Sequence, residues 1–178
     1  MRKAIFVTGV AGCGKSALSA ELQSRGVNSF DIEKVPELFT MTHKETGKVA
    51  DHYVGSDLNE MKQYNWLCDI DVLKKLIKMN KSADAYYCGI GSNIEEMVVL
   101  FDKTFLLVAD NEETKKRLTN RTSNRFARTL ETQLWVLTWK QDLEDKIMSL
   151  GVQVINANQP LEKVANEVLT ELFLVTQR

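Results

Sequence analysis

Apolar positions along the chain keep two alternating rhythms. Five short runs are continuous or nearly so: Ala4 to Thr8 (AIFVT), Ser29 to Ile32 (SFDI), Ala85 to Cys88 (AYYC), Thr104 to Val108 (TFLLV) and Val152 to Ile155 (VQVI). Short β-favouring runs without a polar face are the mark of strands buried in a parallel sheet. Between them the spacing becomes helical. Leu161, Val164, Ala165, Val168, Leu169 and Leu172 line one face behind Pro160, a residue suited to a first helical turn. Trp135, Trp139, Leu143 and Ile147 form an i+4 stripe that reads as core, and Asp110 with Glu113 has the form of a capping pair opening a helix towards Arg117. Strand and helix alternating from end to end predict an α/β fold, a doubly wound five-stranded parallel sheet that binds its ligand at the carboxyl ends of the strands.

Composition narrows this picture. The chain has 178 residues, 44% hydrophobic and 26% charged, with only two prolines, Pro36 and Pro160, and no low-complexity stretch; it is expected to form one domain over 1–178. A formal net charge of -1 supplies no electrostatic footprint for nucleic acid or an anionic membrane surface, so a small-molecule partner is expected, with the protein a monomer or homodimer. Cys13, Cys68 and Cys88 lie far apart and form no CxxC pair, and no apolar run approaches the roughly 18 residues of a spanning helix. A reducing cytoplasm is the expected location.

The chemistry starts at Gly9. GVAGCGKS matches GxxxxGKS, and it lies between an apolar strand and the helix-favouring run SALSAELQSR, where a phosphate loop has to lie. Small residues at Gly9, Ala11, Gly12, Cys13 and Gly14 let successive backbone N–H groups turn towards phosphate oxygens, and the helix opening at Lys15, Ser16 and Ala17 adds its positive end. In this pattern Lys15 reaches the β and γ phosphates of ATP and the Ser16 hydroxyl binds Mg²⁺. No NKxD guanine motif accompanies the loop. Asp110, the first acid after TFLLV, reads either as the acid of a motor ATPase or as a helix cap. Cys13 beside Lys15 and a helix start reads either as a reactive thiolate whose modification blocks ATP or as a residue kept for its small size.

Taken together, GVAGCGKS, SFDIE at the second strand, YYCGIGSN after the third, RLTNRTSNRFAR after the fourth and VINANQPLEKVANEVL at the end resemble the P-loop small-molecule kinases of the adenylate kinase and shikimate kinase type. The resemblance is nearer still to small bacterial nucleoside-kinase-like proteins labelled AAA-family ATPases. It implies an ATP- and Mg²⁺-dependent transfer of the γ-phosphoryl group to a nucleoside, nucleotide or small metabolite; the alternatives are a slow ATPase or a nucleotide-binding regulatory module acting on a protein partner. It implies that Asp31 and Glu33, expected on the same side of an extended segment, meet the acceptor, and that Asp31 contacts the metal and orients or deprotonates the acceptor hydroxyl; the competing reading of these acids is a cap on the next helix. Arg117, Arg121, Arg125 and Arg128, within an arginine-rich lid at 117–130, would close over the phosphates, with Arg121 and Arg125 foremost and Arg128 on the acceptor side. The loop from Ala157 to Pro160, including Gln159, would lie against adenine. Acceptor recognition would fall to Gly89, Gly91 and Asn93, the last either binding substrate or capping a helix, and to an insertion at 35–83. The first half of that insertion, with His43, Lys44, Lys48, His52 and Tyr53, reads as a mobile turn-rich segment. The second half reads as a helix whose core face is Leu67, Ile70, Leu73, Leu76 and Ile77, with Trp66 facing either core or substrate. The chain lacks both the DG-[FY]-P-R stretch of nucleoside monophosphate kinases and the GGG run of shikimate kinases.

Overall fold

The computed structural model describes residues 2–51, 55, 57–80, 83–121 and 126–174. Its main sheet has five parallel strands in the order β2-β5-β1-β6-β7. They are β1 (Ala4–Thr8), β2 (Ser29–Asp31), β5 (Ala85–Cys88), β6 (Lys103–Val108) and β7 (Gln153–Asn156). Each falls within one residue of the sequence expectation at either end, because all five are short apolar runs with no competing period. In the centre, Ile5 lies between Tyr86 and Lys103, and every residue of β1 is buried.

Side chains alternate across the sheet, so each face has its own core. Ile5 and Val7 pack with Leu18 and Leu22 of α1 (Lys15–Ser24) and with Val164, Ala165 and Val168 of α7 (Leu161–Leu174). On the opposite face, Ala4 and Phe6 pack with Leu73 of α3 (Ile70–Met79), with Ile94 and Met97 of α4 (Ile94–Val98), and with Ile147 of α6 (Leu130–Met148). A third, smaller core joins four parts of the chain beside the phosphate loop. It contains Val10, Met61 of α2 (Leu58–Gln63), Leu118 of α5 (Asn111–Asn120), Ala127 and Val136 of α6. Trp135, Trp139 and Leu143 pack against it, which places the tryptophan stripe in packing as expected. No helix among the described residues is long and apolar enough to cross a membrane.

The insertion differs from its expectation. Its first half contains β3 (Phe39–His43), which pairs antiparallel with β4 (Tyr64–Cys68), so that Phe39 faces Cys68 and Met41 faces Trp66. The expected helix starts later, at Ile70, because the Asp69 carboxylate accepts the N–H groups of Asp71 and Val72 and so caps the chain there. Leu67 and Trp66 therefore belong to a strand. Residues 44–63 separate the two strands, so no short turn in the sequence announces the pairing.

Candidate active site

The phosphate loop closes the carboxyl end of β1. Gly9 has φ 145°, and a Cβ built there would lie 2.5 Å from the Leu107 carbonyl oxygen and 2.7 Å from Cys13 Sγ, so the position admits glycine alone. Gly14, at φ 108°, turns the chain into α1, whose first residue is Lys15. Lys15 is 7% exposed; its Nζ donates to Gly9 O at 2.8 Å and Val10 O at 3.4 Å and lies 3.6 Å from Glu33 Oε1. Ser16 is half-buried and Ala17 exposed on the following turn. Ala11 packs at the edge of the third core. Gly12 sits under α5, since a Cβ there would come 3.1 Å from Thr114 O.

Asp31 and Glu33 do not share an extended segment. β2 ends at Asp31, and Ile32–Lys34 form a 3-10 turn that tucks Ile32 into the core. Gly89 permits this turn: a Cβ there would lie 2.5 Å from Ile32 Cγ1 and 3.4 Å from Glu33 Cγ. The turn splits the two acids. Glu33 faces Lys15, whereas Asp31 Oδ2 lies 2.9 Å from Lys34 Nζ, an ion pair without hydrogen-bond alignment, which leaves that buried oxygen with no hydrogen-bond donor. Ser16 and Asp31, with Ser19, Gln23 and Lys34, line one cavity of about 360 Å³ between α1 and β2. A hard hydroxyl oxygen and a carboxylate on one cavity are ligand types suited to a hydrated divalent ion, which would have to displace the Lys34 ammonium from Asp31.

Arg121 follows α5. Burial lowers its guanidinium below the ordinary 12.5, and Glu33 and then Asp31 oppose that shift, so the second-strand acids and Arg121 share one electrostatic environment. Arg128 is exposed and lies close enough to Arg121 to lower it further. Arg125 and Tyr53, together with His52, lie outside the described residues. Arg117 is a bracket: its guanidinium donates to Glu113 Oε1 at 2.7 Å, to Cys13 O at 3.1 Å and to Ala157 O at 2.8 Å. It thereby fastens the phosphate loop to the loop after β7. In that loop Asn158 Oδ1 accepts the Asp110 N–H, while Gln159 donates to Glu167 of α7. Asp110 itself caps α5, accepting from Glu113 N at 2.7 Å, so the cap reading is the one the geometry bears out.

The segment after β5 is committed to the hairpin. Asn93 Oδ1 accepts the Cys68 N–H at 3.0 Å and its Nδ2 donates to Cys68 O at 3.0 Å; Ser92 and Trp66 exchange two further bonds. Asn93 makes no side-chain cap on α4, a structural role neither sequence reading contained. A Cβ at Gly91 would lie 2.9 Å from Met97 Sδ, 3.0 Å from Asn93 Oδ1 and 3.3 Å from Phe39 Cε1, so the close approach there is by α4 and its own segment as well as by the hairpin. Trp66 stacks on Phe39 with centroids 5.1 Å apart.

Cys13 departs from the reactive reading. It is 3% exposed, and burial raises its thiol above the ordinary 9.0, with Lys15 the leading opposing influence. The structure also brings in a pair the sequence reading missed. On α6, Lys140 Nζ donates to Glu144 Oε2 at 2.9 Å with both side chains buried, and burial raises the Glu144 carboxyl. Its only signal in the sequence was an i,i+4 spacing that normally marks a solvated pair.

No protein-family model matches the chain, and no curated protein matches it in sequence. Solved structures do match its fold. A shikimate kinase from Acinetobacter baumannii in complex with shikimate aligns with TM-score 0.65 and 15% identity over 100% of this chain and 97% of the other. A deoxyadenosine kinase from M. mycoides, with products dCMP and dCDP bound, aligns with TM-score 0.60 and 13% identity over 97% and 99%. A gluconokinase from Sinorhizobium meliloti 1021 gives TM-score 0.58 and 15% identity over 99% and 96%. The fold is thus that of the P-loop kinases; the AAA-family label finds no support among these structures.

Proposed function

We propose that this protein is an ATP-dependent kinase that transfers the γ-phosphoryl group to a hydroxyl or phosphate of a small metabolite, nucleoside or nucleotide. The observation that carries the proposal is the meeting of three parts at one end of the sheet: the phosphate loop, Lys15 with Glu33 3.6 Å away, and the Arg121 guanidinium in the same electrostatic environment. A glycine turn without phosphate chemistry would have no reason to gather them.

Backbone N–H groups from Gly9 to Ser16 would hold the β phosphate, and Lys15 and Arg121, with Arg125 from the lid, would neutralise charge that develops on the transferring group. Ser16 and Asp31 fit Mg²⁺, which would shield the phosphate oxygens when bound. Arg117 and Gln159 would shape the adenine side through the loop after β7. Acceptor selection would fall to Asp31, Glu33, Arg128 and Tyr53, with the hairpin that carries Trp66 as a wall and with Gly89 and Asn93 acting only by holding the turn and the hairpin in place. As the bond from γ-phosphorus to the bridging oxygen breaks and the acceptor oxygen takes its place, a second-strand carboxylate receives the hydroxyl proton. The cytoplasm is the matching location.

ATP consumption should be followed across nucleosides, nucleotides, sugars and shikimate-like acids, with the phosphorylated product identified by mass. One acceptor should accelerate ADP formation and gain one phosphoryl group. ADP formation indifferent to every acceptor would remove the kinase reading.

A further inference from the structure

Glu33 occupies an unusual position for a surface acid. Its carboxylate lies at the mouth of the phosphate loop beside Lys15, and it is the leading charge opposing the depression of Arg121. Lys15 is correspondingly turned inward, held by the Gly9 and Val10 carbonyls and by Glu33 rather than extended towards solvent. Lys15 Nζ already donates to the Gly9 and Val10 carbonyls, so Glu33 is not its only partner. The fold nonetheless goes to some length to present this carboxylate: the 3-10 turn leaves the strand direction, Ile32 is buried to anchor it, and Gly89 gives up a side chain to make room for Ile32.

We propose that Glu33 is a stand-in for the terminal phosphate of the nucleotide and so determines how the site distinguishes a nucleoside triphosphate from a diphosphate. The inference rests on the kinase reading above. A diphosphate fills the loop and leaves Glu33 beside Lys15. A γ-phosphate brings further negative charge to the same cations, where the carboxylate and phosphate cannot both remain at contact distance. Glu33 is then displaced towards the open acceptor side, and Lys15 transfers its contact to the γ-phosphate. The carboxylate is released only when a transferable group is present, which links nucleotide state to the group that meets the acceptor. No bond is made or broken in this exchange.

The test needs no acceptor. Titration calorimetry on the full chain with Mg²⁺ compares ADP with the non-hydrolysable triphosphate AMP-PNP, in the wild type and in Glu33→Gln. Removing the competing charge should raise AMP-PNP affinity about tenfold and ADP affinity less than about threefold, in line with the loss of one repulsive contact of ~1.4 kcal/mol. An equal gain for both nucleotides, no gain, or weaker AMP-PNP binding would overturn the proposal. If Glu33→Gln does not fold, Glu33→Asp withdraws the carboxylate by one methylene and should shift the same ratio in the same direction by a smaller factor; an unmoved ratio there is equally fatal. A wild-type protein that binds neither nucleotide defeats the functional reading itself. A wild type that binds both, with an unshifted ratio in the variant, defeats only this inference.

Discussion

The phosphate loop and the β3–β4 hairpin stand at the same end of the sheet, but they are held there by different means. The loop's shape is set largely within a few consecutive residues, by positive φ at Gly9, Gly12 and Gly14 and by Lys15 folded back on the loop's own carbonyls, while Leu107, Thr114 and Arg117 pack around it from β6 and α5. The hairpin is determined from a distance. Its strands meet across residues 44–63, and its base is fastened by Ser92 and Asn93, which follow a different strand altogether. A local device tolerates change elsewhere in the molecule and fails when its own residues change. A distributed device does the reverse.

The largest effect expected from this contrast is at Gly9. Gly9→Ala sets a Cβ against the Leu107 carbonyl at a φ unsuited to alanine, and should cost about 3 kcal/mol or more in urea unfolding while abolishing ADP binding. A stable variant that binds ADP would break the claim that the loop requires glycine at this position. Lys15→Ala comes next and should separate chemistry from folding: turnover falls at least about a hundredfold, with circular dichroism unchanged and stability within ~1 kcal/mol. Full turnover in a folded Lys15→Ala variant would remove Lys15 from the reaction.

Asn93→Ala is the matching experiment on the hairpin. It leaves the Cys68 N–H and C=O without their side-chain partners and should lower stability by about 2 kcal/mol, with ADP affinity changed less than about twofold. A loss of ADP binding as large as the loss of stability would mean the two regions are not independent.

The smallest effects concern the thiols, one in each region and one in the sheet. Burial raises Cys13 above an ordinary 9.0, and it raises Cys68 and Cys88 to about 12. A group kept neutral by the fold but free to ionise when unfolded favours the native state below its unfolded value and loses that contribution as pH rises through the folded one. The urea midpoint should therefore decline from pH 9 upward, and less steeply in Cys88→Ala. Native Cys13 should also react slowly with iodoacetamide at pH 8 with or without ADP; rapid labelling that ADP prevents would restore the reactive reading.

The same contrast explains what was legible beforehand. The five strands, the phosphate loop and the Asp110 cap each depend on neighbours in the chain, so periodicity and residue type were sufficient. β3, β4 and the role of Asn93 depend on partners far away in sequence, and the turn that follows FTMTH, closed by Gly47, folds β3 back onto residues 48–50 rather than onto YNWLC. Asp31 and Glu33 were found as acids but not as a divided pair, because the 3-10 turn that separates them is made possible by Gly89, which follows another strand. The Lys140–Glu144 pair lacked any signal of burial, since its spacing is that of an exposed helix face.

The strand order β2-β5-β1-β6-β7 also has a consequence for how the protein is made. A chain emerging from the ribosome presents β1 and β2 first, yet neither pairs with the other: the place between them belongs to residues 85–88, and the far side of β1 to residues 103–106. Until about half of the polypeptide has been released, the future central strand carries two bare edges and an apolar sequence on both faces, and one edge stays bare until residues 103–106 follow. Such late closure of long-range parallel pairs slows folding and lengthens exposure to aggregation. Translation past residue 108 is therefore the point at which the nascent chain first has every neighbour its central strand requires.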